Sequence, residues 1–199
     1  MIPVDAQPEP ASFDAKVRQK GLAYLKRKGF DPGSVPPHSP KLHPYWRDCL
    51  DELHQSYNGI CAYLCVYIVK VTGGCSVDHF VAKSKQPDLA YEWGNYRLAC
   101  SRMNSRKREY DDVLDPFTVG KDWFHIELVS GRIYPNPELK NRQRLAVQKT
   151  IDRLGLDDAG NREMRAGHYQ GYCENKYTSE YLQEQSPFVW QEAHRQGLL

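Results

Sequence analysis

Residues 59–108 carry the pattern that most restricts the fold. GICAYLCVYIVKV (59–71) is rich in β-branched and aromatic residues. It follows Asn58-Gly59 and ends at Thr72-Gly73-Gly74. That composition between turn signals predicts a strand. Cys75 to Val81 alternates and predicts a second strand, with Val77 and His79 on one side. Residues 82–97 read as a polar loop with one helical turn near Leu89-Ala90-Tyr91, and Leu98 to Arg108 as a helix. The expected central unit is strand, strand, helix, and the expected class is α+β.

The flanks read mainly as helix. A Pro-rich arm covers 1–11, and Phe13, Val17, Leu22 and Leu25 share one face of a basic helix over 12–28 that Gly29 ends. Residues 29–44 hold five prolines and predict an irregular connection. A second helix over 44–56 carries Trp46, Leu50 and Leu53. Downstream, Trp123–Val129 and Arg132–Tyr134 predict a hairpin across Ser130-Gly131. A helix over 138–154 with Leu139, Leu145, Val147, Ile151 and Leu154 precedes Gly155. A polar helix over 160–184 and a short amphipathic tail complete the chain. Three segments follow: an arm with helices (1–56), a core (57–110), and a hairpin with a helical extension (111–199).

Composition narrows the function class. No apolar run approaches the roughly 18 residues of a membrane span. MIPVDAQPEPASFDAK lacks the basic start and apolar run of a signal peptide, so a cytoplasmic protein is expected. The six cysteines are then candidates for burial or metal ligation before disulfides. Net charge is only +2, yet charge is segregated. Residues 16–28 and 96–108 carry bases without acids, the pattern of a solvated face or of local phosphate contact.

Between Cys75 and Lys107 lie Asp78, His79, Asn95 and Asn104. Hydrolysis of a phosphodiester needs a base for water, a cation for the charge of the transition state, and donors for the substrate. His79 has the basicity for the first role. Asp78, turned opposite to His79, offers a hard oxygen to Mg²⁺ (or Mn²⁺), and Asn104 a neutral one. Asn95 can bond loop backbone and hold the loop that carries His79. Lys107, Arg106, Arg108, Lys83 and Lys85 are the candidate phosphate contacts. Each residue alone has an ordinary reading as a turn or surface residue; the order and spacing of the set point to catalysis.

The frame VDHFVAKSK…LAYEWGNYRLAC…MNSRK resembles the HNH (ββα-metal, His-Me finger) endonucleases. The resemblance implies an α+β fold with a ββα-metal unit surrounded by helices. It makes His79 the base, Asn95 the scaffold residue grouped with it, and Asp78 and Asn104 the metal ligands. It also implies nucleic acid as substrate, with DNA expected. Asp115-Pro116, TIDRLGLDD and SPFVWQEAHRQGLL resemble the subgroup of Septu-type and retron-linked bacterial defence nucleases, which work with an ATPase partner. The alternative is a non-catalytic nucleic-acid-binding or complex-forming module that keeps the fold.

Many such relatives hold a structural zinc on two Cys-x-x-Cys knuckles. Here Leu64 stands where one ligand belongs, with Cys65 displaced by one, and Met103 stands where another belongs. The expectation is a zinc-free scaffold with an apolar Leu64–Met103 contact. Its rival is a zinc on Cys61, Cys65, Cys100 and a fourth ligand such as Cys75 or a His.

Overall fold

The computed structural model describes residues 1–30 and 41–199, so most of the irregular connection expected over 29–44 lies outside the described residues. The fold is α+β. Among the described residues there are seven α-helices and two antiparallel two-stranded hairpins. They group into two compact units. One contains 5–59 and 68–111, the other 1–4, 60–67 and 112–199. The N-terminal helices thus share a unit with the core stretch, and 60–67 groups with the C-terminal residues, a different grouping from the three consecutive segments.

In the first unit a π-helical turn, Asp14–Arg18, runs into helix α1, Gln19–Arg27. Gly29 (φ 71°) follows the helix end in the left-handed conformation open to glycine. Phe13, Val17 and Leu25 are buried as expected, but Leu22 is 43% exposed. Its place on the helix interior is taken by Gly21, against which the Tyr91 ring lies. A Cβ there would come within 2.1 Å of that ring. A short 3₁₀ turn, Tyr45–Cys49, leads into α2, Leu50–Ser56, which buries Leu53.

The hairpin of this unit pairs β1, Cys75–His79, with β2, Tyr96–Cys100. Cys75 faces Cys100, Val77 faces Leu98, and His79 faces Tyr96. Helix α3, Ser101–Lys107, follows β2 directly. The order strand, strand, helix is therefore present, but with different strands from those expected. Residues 96–100 were expected as the end of a loop and the start of a helix. Tyr96 and Leu98 suit a buried strand, and pairing with β1 overrides the helical reading.

The run 59–71 does not form the first strand. The Cys61 N–H bonds Val66 O, the Cys65 N–H bonds Cys61 O, and Ile60 bridges Tyr67. Cys65 adopts φ 54°, and the Leu64 N–H reaches Cys61 Sγ at 3.5 Å. A tight turn closed on a sulfur thus replaces the extended chain that β propensity favours. Leu64 belongs to one unit and Met103 to the other; both are buried.

The second unit holds β3, Phe124–Glu127, paired with β4, Arg132–Pro135, near the expected positions. Gly131 has φ 69°, and a Cβ on it would lie 2.0 Å from Arg162 O, so two constraints select glycine at this turn. Helix α4, Asn141–Leu154, buries Val147, Ile151 and Leu154, while Leu145 stands 57% exposed. The single helix expected over 160–184 is two: α5, Ala159–Cys173, and α6, Ser179–Gln185. Asn175 at φ 56° breaks the first, and Thr178 Oγ1 caps the second through the Tyr181 N–H. Helix α7, Pro187–Arg195, ends the fold and buries Phe188 and Val189.

Gly21→Ala tests the close approach of α1 to Tyr91. The added methyl forces the buried ring or the helix to shift, and the expected loss is about 1–3 kcal/mol despite the better helix propensity of alanine. Thermal melting of the variant beside the parent protein reads this directly.

Candidate active site

The residues expected to act together do gather, at one end of the β1–β2 hairpin. A cleft of about 360 Å³ is lined by Asp78, His79, Ala82, Lys83, Asn104, Arg108 and Glu109.

His79 ends β1 and is 6% exposed. Its Nε2 lies 3.0 Å from Ala90 O. A carbonyl only accepts, so Nε2 carries the proton and Nδ1 the lone pair. The same carbonyl accepts the Tyr96 hydroxyl at 2.7 Å, which fills both of its lone pairs. Trp46 and Tyr96 rings meet the imidazole edge-on, at 4.7 and 5.2 Å between centroids. Burial, with the nearby Lys83 and Lys107 charges, pushes the imidazole down to about 3, against the small opposing effect of the Ala90 bond. The ring is neutral at any physiological pH and fixed in one tautomer.

Asn95 supplies the fixation. Its Oδ1 accepts the Val81 N–H at 2.7 Å, and its Nδ2 donates to Val81 O and Leu89 O at 3.1 and 3.0 Å. Its own carbonyl accepts the Phe80 N–H at 2.9 Å. One side chain therefore binds the residues just after His79 to the turn, Pro87–Tyr91, that presents the Ala90 carbonyl.

Asn104 sits in mid α3. Its Nδ2 donates to Val77 O at 3.1 Å and to Ser76 Oγ at 3.2 Å. Both amide hydrogens are used, and Oδ1 is the oxygen left to the cleft. Asp78 is almost fully buried, and its Oδ2 lies 3.4 Å from Lys107 Nζ. One carboxylate and one amide oxygen are a donor set that fits Mg²⁺, which keeps several waters when bound. Among the described residues no three His, Cys, Asp or Glu side chains gather into a metal-holding group. Cys61 and Cys65 belong to one unit and Cys100 to the other, and none of the six cysteines forms a disulfide.

Lys107 needs correction as a phosphate contact. It follows Asn104 by three residues but points into the protein, with its side chain 0% exposed. Its ammonium donates to His79 O at 3.0 Å and Phe80 O at 2.9 Å and lies 5.3 Å from the Phe80 ring centre. It ties the end of β1 to α3. Of the other basic candidates, Lys83 and Arg108 line the cleft. Lys83 packs over the Trp46 ring at 4.8 Å, and burial lowers its pKa. Lys85 is exposed and paired with Asp111 at 2.5 Å, and neither it nor Arg106 lines the cleft.

Sequence reasoning missed Ala90, Tyr96 and Trp46. The one signal was the helical turn at Leu89-Ala90-Tyr91; a backbone carbonyl leaves no mark on residue type. No protein-family profile matches the chain, and no curated protein does.

Two outcomes follow. The His79 ring has a depressed folded-state pKa, so its contribution to stability is complete above the ordinary value of 6.5 and is lost as pH falls toward 3. Between pH 7.5 and 5 the protein is expected to lose about 2 kcal/mol through this ring. In His79→Gln that part of the pH dependence of the urea midpoint disappears, while the parts from the half-buried His125 and His168 remain. Lys107→Met leaves Asp78 and two carbonyls without their ammonium. It is expected to destabilise by about 3–5 kcal/mol, read as a shifted urea midpoint at constant slope.

Proposed function

We propose that this protein is a divalent-metal-dependent phosphodiesterase of the HNH type, cutting nucleic acid and most readily DNA. The observation that carries the reading is the neutral, tautomer-locked His79 in the wall of a cleft shared with Asp78 and Asn104. Two cationic side chains, Lys83 and Arg108, line the same cleft.

In this reading His79 Nδ1 takes a proton from a water as its oxygen forms a bond to phosphorus. The bond from phosphorus to the leaving sugar oxygen breaks, that oxygen takes a proton from solvent water and the imidazolium returns its proton to solvent, giving a phosphomonoester and an alcohol. Asp78 and Asn104 would hold an Mg²⁺ or Mn²⁺ ion, which supplies charge stabilisation to the phosphate oxygens when bound. A base pushed to about 3 is weak in the empty cleft. An arriving phosphodiester anion favours the imidazolium and raises its basicity as substrate binds. Lys83 and Arg108 orient the backbone. These contacts read phosphate and carry no base sequence, so any sequence preference comes from elsewhere.

The chain's resemblance to defence nucleases over 115–116, 150–158 and 186–199 extends the proposal to an anti-phage effector with an ATPase partner, acting in the cytoplasm. No helix among the described residues is long and apolar enough to cross a membrane. One observation favours the second reading, a nucleic-acid-binding or complex-forming module without turnover: Lys107 already neutralises Asp78, where a cation would bind.

Incubation of supercoiled plasmid with Mg²⁺ or Mn²⁺, with and without EDTA, separates the two. Nicking that EDTA abolishes is expected. His79→Ala should lower the rate by about 10²–10⁴-fold without loss of DNA binding. Asp78→Ala and Asn104→Ala should raise the Mg²⁺ concentration needed for half-maximal rate. Undiminished nicking by His79→Ala would refute its role as base.

A further inference from the structure

The basic helix of the N-terminal segment remains without a role in the cleft chemistry. In the same unit, a groove of about 440 Å³ is lined by Tyr24, Lys28, Phe30, Lys41, Leu42, His43 and Pro44. None of these described lining residues is a carboxylate. Lys28 and Arg27 lie 5.9 and 6.0 Å from the centre of the Tyr24 ring, and Lys20 lies 5.8 Å from that of Tyr45. His43 is exposed and packs on Tyr45 with centroids 4.2 Å apart and the rings tilted by 34°.

The groove is joined to the cleft through rings. Tyr24 neighbours His43 at 6.1 Å, and His43 packs on Tyr45. Tyr45 and Trp46 each lie 6.1 Å from Tyr91, and Trp46 meets His79 at 4.7 Å. Lys83 covers Trp46 at the cleft end, and Lys28 and Lys41 line the groove at the other. Among the described residues Asp48 lies 3.5 Å from the half-exposed Lys20, and Glu109 and Asp78 answer Lys83 at the cleft end.

Flat rings alternating with cations suit a strand whose bases are unstacked. Each base offers a face to a ring, and each phosphate meets an ammonium. A duplex hides its base faces and gains only the charge. We propose that the Tyr24–His43 groove binds single-stranded nucleic acid and leads it, along the Tyr45–Trp46 rings, to the His79 cleft. The proposal rests on the nuclease reading for its direction, but binding in the groove does not require turnover.

The test is fluorescence anisotropy with the full chain in EDTA, where no cleavage occurs. The probe is a labelled single strand of roughly 20 nucleotides, compared with its duplex and with RNA of the same sequence. Tighter binding of the single strand than of the duplex is expected. Lys28→Glu with Lys41→Glu, both exposed lysines, should weaken single-strand binding by at least about tenfold. Lys28→Gln with Lys41→Gln should reduce the slope of log affinity against log salt by about 1.4, two phosphate contacts' worth. His43→Ala should weaken it by about tenfold through lost stacking. The DNA and RNA arms assign the sugar, and preference for either supports the groove. Single-strand affinity unchanged by both lysine pairs, or a duplex bound as tightly as the single strand, overturns the proposal. Because binding is read without metal, a failed groove and a failed nuclease assay give different patterns.

Discussion

The active end of the hairpin depends on one amide. Asn95 commits both amide hydrogens and its Oδ1 to backbone, at Val81 and Leu89. That fixes the spacing between the residue carrying the imidazole and the turn carrying the Ala90 carbonyl. The carbonyl in turn decides which nitrogen of His79 holds the proton. The tautomer of a general base is thus set three bonds away, by a residue that touches neither substrate nor cation in the proposed mechanism. An Asp in place of Asn95 could accept the Val81 N–H but not donate to the Val81 and Leu89 carbonyls, and the loop would lose its register against β1.

Lys107 makes the second constraint, and it has two consequences. A buried ammonium is expensive unless paired and hydrogen-bonded, and here two carbonyls, one carboxylate and a ring face share it. It anchors α3 to the end of β1 and so positions Asn104 opposite Asp78. It also adds a positive charge close behind His79, a minor contribution beside the burial and the Lys83 charge that push the imidazole toward its neutral form. Structural anchoring and electrostatic tuning come from the same group. In the proposed reaction an anionic substrate, whose charge opposes both lysines, would raise the basicity of the ring.

Much of the site was legible in the sequence because its residue types are restricted by chemistry. Asp78, His79 and Asn104 line one cleft as their spacing implied, and Asn95 bonds loop backbone as expected. The frame was less legible. The 59–71 run has strand composition, yet a positive φ at Cys65 and the closure on Cys61 turn it into a knuckle-like bend. Residues 96–100 looked like the approach to a helix, and long-range pairing with Cys75–His79 made them a strand. Local propensity ranks both segments, but pairing across a loop of some sixteen residues is decided by burial, which residue type alone does not encode. Lys107 fails for a related reason: helical spacing fixes its side, while only the packed fold shows that this side faces inward.

The near-neutral total charge conceals how the first unit distributes its cations. Arg18 is held among Glu9, Asp14 and Glu92, and Lys16 is paired with Glu52, so these two cations tie the helix to the N-terminal arm, to α2 and to the chain before β2. Lys20, Arg27 and Lys28 lie along aromatic faces. Ring faces stabilise cations without neutralising them, whereas carboxylates remove their outward field. A chain can therefore keep a net charge near zero and still present a continuous positive path, provided its acids are spent on the arm and its rings on the path. In this unit the division falls between Arg18 and Lys20, one turn of helix from the residues that face the groove.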